Sequence, residues 1–422
     1  MFSRLPVFQR VGPAAYKNTL DNTYRLDDLY GNPHRCFKTV HVAGTNGKGS
    51  VSHMLAAVFQ SAGYKTGLYT SPHLKDFRER IRINGQMMPK ERVVEWVGQF
   101  SEKNKSWELK PSFFEITVAM AFHYFAREEV DIAIIETGLG GRLDSTNIIT
   151  PEVSVITNIG LDHTALLGSS LQIIAREKAG IIKPGVPAVI GETQPETKPV
   201  FSEVAIQREA PLFFADQEFF VSYALRDIQG NQLVAVEKND GTVLSQIKLD
   251  LKGFYQQKNL PAVLKTVELM QAEGWKISDK HLREGLGNTT RLTGLTGRWQ
   301  ILSHNPLIVC DTAHNAEGIA AVVDQLKQIP CKQMHIVFGM VNDKSPEEML
   351  KLLPRHAVYY FTKANVPRAL GENELKAAAS NAGLQGTAFP GAAGAFDAAR
   401  ATAGKDDLIF IGGSTFIVAE IL

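Results

Sequence analysis

The chain is poor in cysteine, with three in 422 residues: Cys36, Cys310 and Cys331. Their positions fit no metal-binding spacing and cannot build a disulfide framework, so neither a zinc module nor a cross-linked secreted scaffold is expected. An excess of charge of one sign is also missing. The 45 Lys and Arg residues against 44 Asp and Glu leave a net charge of +1, which points to neither nucleic acid nor an anionic membrane as partner. No run approaches the roughly 18 apolar residues that a membrane-crossing helix requires. Residues 1–6 lack the apolar core of a signal peptide, with Pro6 and Arg10 breaking the stretch, and the expected location is the cytoplasm. Fixed-period repeats and low-complexity tracts are missing too. Only residues 388–403 are rich in alanine and glycine, which predicts a loop followed by a small-residue helix. What remains is ordinary globular material, 44% hydrophobic and 21% charged, long enough for about two or three domains.

What the chain does have is the stretch His41-Val42-Ala43-Gly44-Thr45-Asn46-Gly47-Lys48-Gly49-Ser50. Residues 37–40 before it read as a strand, and residues 51–62 after it carry apolar positions at helical spacing. A strand, a glycine turn holding one Lys, and a helix opening on a hydroxyl make a phosphate cradle. Glycines let backbone N–H groups face an anion, and the helix N-terminus adds a favourable dipole. Against the general P-loop pattern G-x-x-x-x-G-K-[ST] the match is imperfect. Val42 stands where the first glycine belongs, and Gly49 takes the hydroxyl position, with Ser50 one residue later. Lys48 is expected to reach the outer phosphates, and a hydroxyl beside it to bind Mg²⁺.

The rest of the chain alternates strands and helices. A helix is predicted over 14–31, stopped by Gly31-Asn32-Pro33. A strand at 65–69 leads into Thr70-Ser71-Pro72-His73-Leu74. An excursion at 77–83 turns at Asn84-Gly85 and returns to a helix at 89–101. A helix at 113–127, strands at 131–136 and 153–157, a helix at 170–179 and a strand at 188–191 follow. This predicts a mostly parallel sheet covered on both faces, with ligands beyond the carboxyl ends of the strands. Residues 219–224, 233–237 and 242–249 alternate apolar and polar around Asn239-Asp240-Gly241, which predicts an antiparallel meander at the edge of the first domain. A helix follows at 255–272. The expected fold is therefore α/β: a P-loop-type domain over residues 1–293, a linker at 294–297, and a smaller Rossmann-like domain over 298–422.

Polar residues at strand ends carry the chemistry. Glu136 closes an apolar strand, where a carboxylate holds Mg²⁺ in P-loop proteins; a simple cap is the competing reading. In the following Gly-rich loop Arg142 could pair with an anion, and Asp144 could contact substrate or only cap the turn. His163, beside Asp162, suits a metal or substrate orientation. Lys178 on the next helix reads as a surface residue, or as a lysine carbamylated to an anion that bridges to Mg²⁺. In the second domain Arg298 could clamp a nucleotide phosphate. Asp311-Thr312-Ala313-His314-Asn315 and Gly412-Gly413-Ser414-Thr415 offer ligand sites against which turn capping competes. Together these parts indicate phosphoryl transfer to an acceptor that they do not identify.

The order and spacing of these motifs resemble the folylpolyglutamate synthase/dihydrofolate synthase branch of the Mur ligase superfamily, which uses Gly-Thr-Asn-Gly-Lys-Gly-Ser as its own form of the loop. The likeness spans nearly the whole chain. It implies ATP-dependent ligation of L-glutamate to the carboxylate of dihydropteroate or a reduced folate through an acyl phosphate. By this likeness Asn46, Gly47, Lys48, Gly49 and Ser50 hold ATP, with Asn259, Arg298 and Asp311 as further ATP contacts. Ser71, Glu136 and His163 ligate Mg²⁺, Lys48, His163 and a carbamylated Lys178 act in catalysis, and Arg142, Asp144, His314 and Ser414 touch substrate. The partners implied are small molecules, with no nucleic acid and no membrane, and the protein is expected to be a monomer. Another Mur-type amino-acid ligase is the alternative, but its cell-wall members carry a sizeable domain ahead of the loop, where this chain has about forty residues. A P-loop small-molecule kinase needs no amine site. A non-catalytic nucleotide binder is expected to lack Lys48, Glu136 or His163, and all are present.

Overall fold

The computed structural model describes residues 19–227, 230–342 and 345–422. They form two compact units. One holds the described residues up to Leu251 together with Gln256–Leu295, the other Lys252–Tyr255 with Thr296–Leu422.

The first unit is built on an eight-stranded sheet. Its strands are β1 (Lys38–Ala43), β2 (Thr66–Tyr69), β3 (Ile81–Ile83), β4 (Gln86–Met87), β5 (Ile132–Glu136), β6 (Val153–Ile156), β7 (Ala188–Ile190) and β8 (Leu212–Phe214). The spatial order is β4-β3-β2-β5-β1-β6-β7-β8. All neighbours pair parallel except β3 with β2 and with β4. The centre of this sheet explains its sequence. Ile132 and Ile134 of β5 pack on one face with Val40, Val42 and the helix Lys48–Ser61, while Ala133 and Ile135 pack on the other with Phe122 and Phe125 of the helix Phe113–Arg127. A strand covered on both faces has no use for polar alternation, hence the continuous apolar run. Burying Phe122 or Phe125 contributes about 1.5–3 kcal/mol each. Their helix starts where Ser112 and Glu115 cap each other's backbone N–H, an arrangement that adds about 1 kcal/mol.

The antiparallel meander is present, as β9 (Phe219–Arg226), β10 (Gln232–Lys238) and β11 (Val243–Leu249). These strands form a separate three-stranded sheet of their own among the described residues, while the antiparallel edge of the large sheet is the β3-β4 hairpin around Asn84-Gly85. Phe219, Val234, Val236, Ile247 and Leu249 fix the meander to the core it shares with the helix Gln256–Ala272. Two other expectations are adjusted. The first described helix is Asp21–Leu29, with residues 14–18 outside the described residues. Lys198–Gln207 is a helix the pattern does not mark, because Pro199 punctuates it. Proline in the first turn is tolerated, since that N–H has no helical acceptor anyway.

The second unit carries β12 (Gln300–His304), β13 (Leu307–Cys310), β14 (Met334–Phe338), β15 (Val358–Thr362), β16 (Gly386–Phe389) and β17 (Leu408–Gly412). Their order is β12-β13-β17-β14-β15-β16, parallel throughout except β12 against β13. The alanine-rich stretch thus opens on an edge strand before its small-residue helix Ala392–Thr402.

Candidate active site

Parallel pairing brings the carboxyl ends of β2, β5, β1 and β6 to one edge, and with them the loops that follow. Val42 lies opposite Glu136, and Ala43 opposite Ile156. The loop after β1 is then tied to the loop after β6. Thr45 N–H donates to the Asn158 carbonyl at 2.9 Å, and Asn46 N–H to Asn158 Oδ1 at 2.8 Å. Gly47 caps the helix Lys48–Ser61 with φ 86°, and a Cβ there would lie 2.2 Å from Asn259 Oδ1. The first turn of a helix leaves its N–H groups without helical acceptors. Here these belong to Lys48, Gly49 and Ser50, the positions expected to face phosphate. Lys48 Nζ curls back over the loop and donates to the carbonyls of Gly44 at 3.0 Å and Thr45 at 3.2 Å. The Ser50 side chain is buried, and its hydroxyl accepts a hydrogen bond at 3.0 Å from Gln256, which also accepts one from Asn259. The Ser50 hydroxyl is thus engaged by Gln256, and Asn259 sits directly against the loop.

Glu136 is 3% exposed at the end of β5, and its Oε2 accepts the Ser71 N–H at 3.0 Å. Two of the expected metal ligands thus meet across the ends of β5 and β2. His163 follows β6 with φ 51°, caps the short helix Thr164–Leu167, and has its N–H bonded to the Asp162 carboxylate at 2.9 Å. Among the described residues no three His, Cys, Asp or Glu side chains cluster tightly enough to hold a metal by themselves. A carboxylate and a hydroxyl nonetheless fit Mg²⁺, which takes hard oxygen ligands and completes its shell with phosphate and water; His163 would add a nitrogen.

Lys178 is not the surface residue its helix Leu171–Ala179 suggests. It is 4% exposed, and its Nζ donates to the Gly44 carbonyl at 2.7 Å, the same oxygen that Lys48 approaches. Burial, and then the Lys48 charge, push its pKa down from 10.5 to about 7, with Asp162 and Asp144 opposing. The glycine loop after β5 docks on this helix end. Arg142 N–H donates to the Glu177 carbonyl at 2.7 Å, and a Cβ on Gly141 would come within 2.8 Å of the Glu177 and Lys178 carbonyls. The Arg142 guanidinium pairs with Glu177 at 2.8 Å on the surface.

The Asp144 side chain braces the glycine loop after β5. Its carboxylate is buried and accepts four hydrogen bonds: from Gly138 and Leu139 N–H at 2.8 Å, from Thr146 N–H at 2.9 Å, and from the Thr146 hydroxyl at 2.6 Å. Burial pushes this carboxyl up and those bonds oppose it. The Thr146 oxygen lies 2.8 Å from Nε2 of His41 in β1, whose imidazole burial drives down to about 3. A neutral His41 thus joins the strand of the phosphate loop to the glycine loop. Sequence reasoning missed this link, because neither His41 nor Thr146 has any local mark of a partner.

In the second unit Asp311 follows β13, and its buried carboxylate is fully engaged. It accepts from Tyr255 OH at 2.6 Å, Trp299 N–H at 2.7 Å and Ala313 N–H at 2.8 Å. Asp311 braces its own loop, and burial pushes its carboxyl up. Arg298 bonds to the Thr312 hydroxyl and to the Gly297 carbonyl. His314 Nδ1 lies 2.9 Å from the Thr312 carbonyl, which makes Nδ1–H the donor. The Ser414 hydroxyl caps the final helix by accepting from Phe416 N–H at 3.2 Å. Asp311 and His314 thus lie on the loop after β13 and Ser414 on that after β17, while Arg298 precedes β12 and is tied to the first loop through Thr312. The carboxylate of Asp311 and the hydroxyl of Ser414 serve the backbone.

Comparison with known proteins agrees with this geometry. Residues 42–267 match the Mur ligase middle domain, and residues 297–415 match the Mur ligase glutamate ligase domain. The chain is 35% identical over 350 residues to the folylpolyglutamate synthase of Lacticaseibacillus casei, covering 81% of this chain and 80% of that protein. It is 33% identical over 400 residues to the dihydrofolate synthase/folylpolyglutamate synthase of Bacillus subtilis, covering 93% and 91%. The solved structure of E. coli FolC in complex with DHPP and ADP superimposes with a TM-score of 0.85 at 30% identity, over 96% of this chain and 93% of that one. No helix among the described residues is long and apolar enough to cross a membrane. The chain belongs to the folylpolyglutamate synthase/dihydrofolate synthase family of Mur ligases.

Proposed function

We propose that this ATP-dependent ligase joins L-glutamate to the carboxylate of dihydropteroate, of a reduced folate, or of both. A carboxylate is a poor electrophile because oxide is a poor leaving group. Its oxygen attacks the γ-phosphorus of ATP, ADP departs, and the acyl phosphate forms. The glutamate amine then attacks the acyl carbon, loses a proton, and expels phosphate. The chain contributes positioning and charge neutralisation. Asn46, Gly47, Lys48, Gly49 and Ser50 cradle the phosphates through backbone N–H groups, with Lys48 swinging from the Gly44 carbonyl to the outer phosphates and Asn259 supporting the loop. Ser71, Glu136 and His163 would hold Mg²⁺, whose chemistry is to neutralise phosphate charge. Arg298 and Asp311 are proposed for the nucleotide, Asp311 by shaping its loop, and His314 and Ser414 for glutamate. Arg142 is left for an anionic group of the acceptor.

Lys178 is proposed to act as its carbamate. The neutral amine attacks CO₂ and releases a proton, and a buried lysine with a pKa near 7 is roughly half neutral at pH 7. The carbamate would be an anion close to the phosphate loop. A monomer working in the cytoplasm completes the proposal.

The observation that carries this reading is the meeting of Glu136 with Ser71 one strand away from the phosphate loop. The test is ADP release with ATP, Mg²⁺, L-glutamate and either dihydropteroate or a reduced folate. Sustained release must require both acceptor and glutamate, because the acyl phosphate turns over only when the amine takes its acyl group, and Lys48→Ala must lower ligation by about 100-fold or more. Release without acceptor and glutamate, or ligation at near wild-type rate in Lys48→Ala, overturns the assignment.

A further inference from the structure

Arg80 ends the short turn Phe77–Arg80 and is 4% exposed, one of the few buried cations among the described residues. Its Nε–H donates to His73 Nδ1 at 2.8 Å, its guanidinium lies 5.4 Å from the centre of the Phe113 ring, and its carbonyl accepts the Thr70 N–H at 3.1 Å. Because Nδ1 accepts, the His73 proton sits on Nε2 and the ring is neutral. No ion pair holds Arg80 among the described residues; its guanidinium hydrogen-bonds to the Tyr69 hydroxyl at the end of β2, and Glu136 and Glu79 act on it more weakly through space. The Glu79 carboxylate is occupied by the N–H groups of Leu74, Lys75 and Asp76. Lys265, buried to the same degree, is paired with Glu218 and Glu268 at 2.8 and 2.9 Å. A buried guanidinium without such a partner is a poor way to stabilise a fold, since an apolar residue of the same shape avoids the desolvation.

What Arg80 does hold is the loop that carries Ser71. Its side chain grips His73 on one side of Ser71 through Nε–H, its backbone carbonyl accepts from Thr70 on the other whatever the side chain, and Ser71 N–H is the group that meets Glu136. We infer that Arg80 is a positioning residue for the Mg²⁺ site, closing residues 70–74 on the end of β5 so that Ser71 and Glu136 stay together. This rests on the reading of Ser71 and Glu136 as metal ligands. Partners that orient a metal ligand typically change metal affinity 10–100-fold when removed.

The experiment is calorimetric binding of ADP, with and without Mg²⁺, to the full chain. Arg80→Met is expected to keep the Mg²⁺-free ADP affinity within about twofold while losing at least about tenfold of the affinity that Mg²⁺ adds. Arg80→Lys keeps the charge but cannot reproduce the Nε bond, and is expected to behave like Arg80→Met. His73→Phe should show the same loss with Arg80 in place, and His73→Gln, whose amide oxygen can accept from Nε, should recover it. These two variants decide the matter should Arg80→Met fail to fold. A wild-type Mg²⁺ increment in Arg80→Met or His73→Phe overturns the inference. So does an equal loss of Mg²⁺-free binding, or full recovery by Arg80→Lys. Ser71→Ala and Glu136→Gln separate the layers. If they also leave the increment intact, the metal site itself is wrong, and the inference falls with it.

Discussion

Lys178 gives the sharpest quantitative prediction. Its ammonium is buried against the Gly44 carbonyl, and the pKa falls from 10.5 to about 7. The unfolded chain keeps the proton up to the ordinary value, so between about pH 7 and 10.5 it binds more protons than the folded one. Below about pH 7 both states are charged and the burial penalty is fully expressed. As pH rises the folded state sheds its proton and the penalty disappears. Each pH unit of that fall corresponds to about 1.36 kcal/mol, so the whole penalty is about 5 kcal/mol. Over a milder range, from about pH 6 to about pH 9, the linkage relation gives a change of about 2.7 kcal/mol. Lys178→Met removes the titrating group while filling similar space. Urea unfolding of wild type and variant in CO₂-free buffer, followed by fluorescence and far-UV circular dichroism, measures the difference at each pH. The variant should be the more stable protein at about pH 6, and its advantage should shrink by about 2.7 kcal/mol at about pH 9. An advantage that stays constant to within about 0.5 kcal/mol would refute the argument, because Lys178 would then titrate alike in both states.

Two further substitutions test the loops around it. Gly47→Ala forces a side chain onto φ 86° and drives its Cβ into Asn259 Oδ1 at 2.2 Å. The strain of about 1–2 kcal/mol should cost at least about tenfold in ADP affinity by calorimetry, and binding within about twofold of wild type would remove Gly47 from the phosphate cradle. Asp144→Asn replaces a carboxylate that accepts four hydrogen bonds by an amide with one accepting oxygen. A loss on the order of 3 kcal/mol in urea unfolding is expected, and a loss below about 1 kcal/mol would mean that the glycine loop does not depend on this brace.

The sequence was most legible where a signal is local. The helix Phe113–Arg127 matches its prediction at both ends because the Ser112–Glu115 cap and the apolar spacing agree. The apolar run of β5 announced a strand covered on both faces, with Glu136 as its last residue. Illegible features depended on partners far along the chain. Lys178 follows Arg176-Glu177 in a run of charge, and nothing nearby says that its amine will meet a carbonyl 134 residues away. Arg80 sits in Arg78-Glu79-Arg80-Ile81-Arg82, which reads as a solvated surface, yet it is the one of these arginines that is almost wholly buried. Asp144 and Asp311 show a different limit. Sequence identifies a carboxylate at a strand end, but not that backbone and hydroxyl donors already fill its oxygens.

The two lysines at the Gly44 carbonyl show how pairing converts such separate signals into chemistry. Lys48 and Lys178 are unremarkable apart, one in a glycine loop and the other on a charged helix. Parallel packing of β1 and β6, with the helix that follows β6, brings both amines to one oxygen, at 3.0 and 2.7 Å. Two ammonium charges at that distance repel, and the more buried of them loses its proton more easily, which is why the Lys48 charge is the second cause of the depressed Lys178 pKa. The pairing therefore favours the neutral amine at Lys178, the form that the proposed carbamylation needs. Conversion to a carbamate would replace the repulsion by attraction. The same contact that disfavours two ammonium ions would then favour an ammonium and an anion, so the proposed carbamylation would relieve the repulsion that makes it chemically accessible.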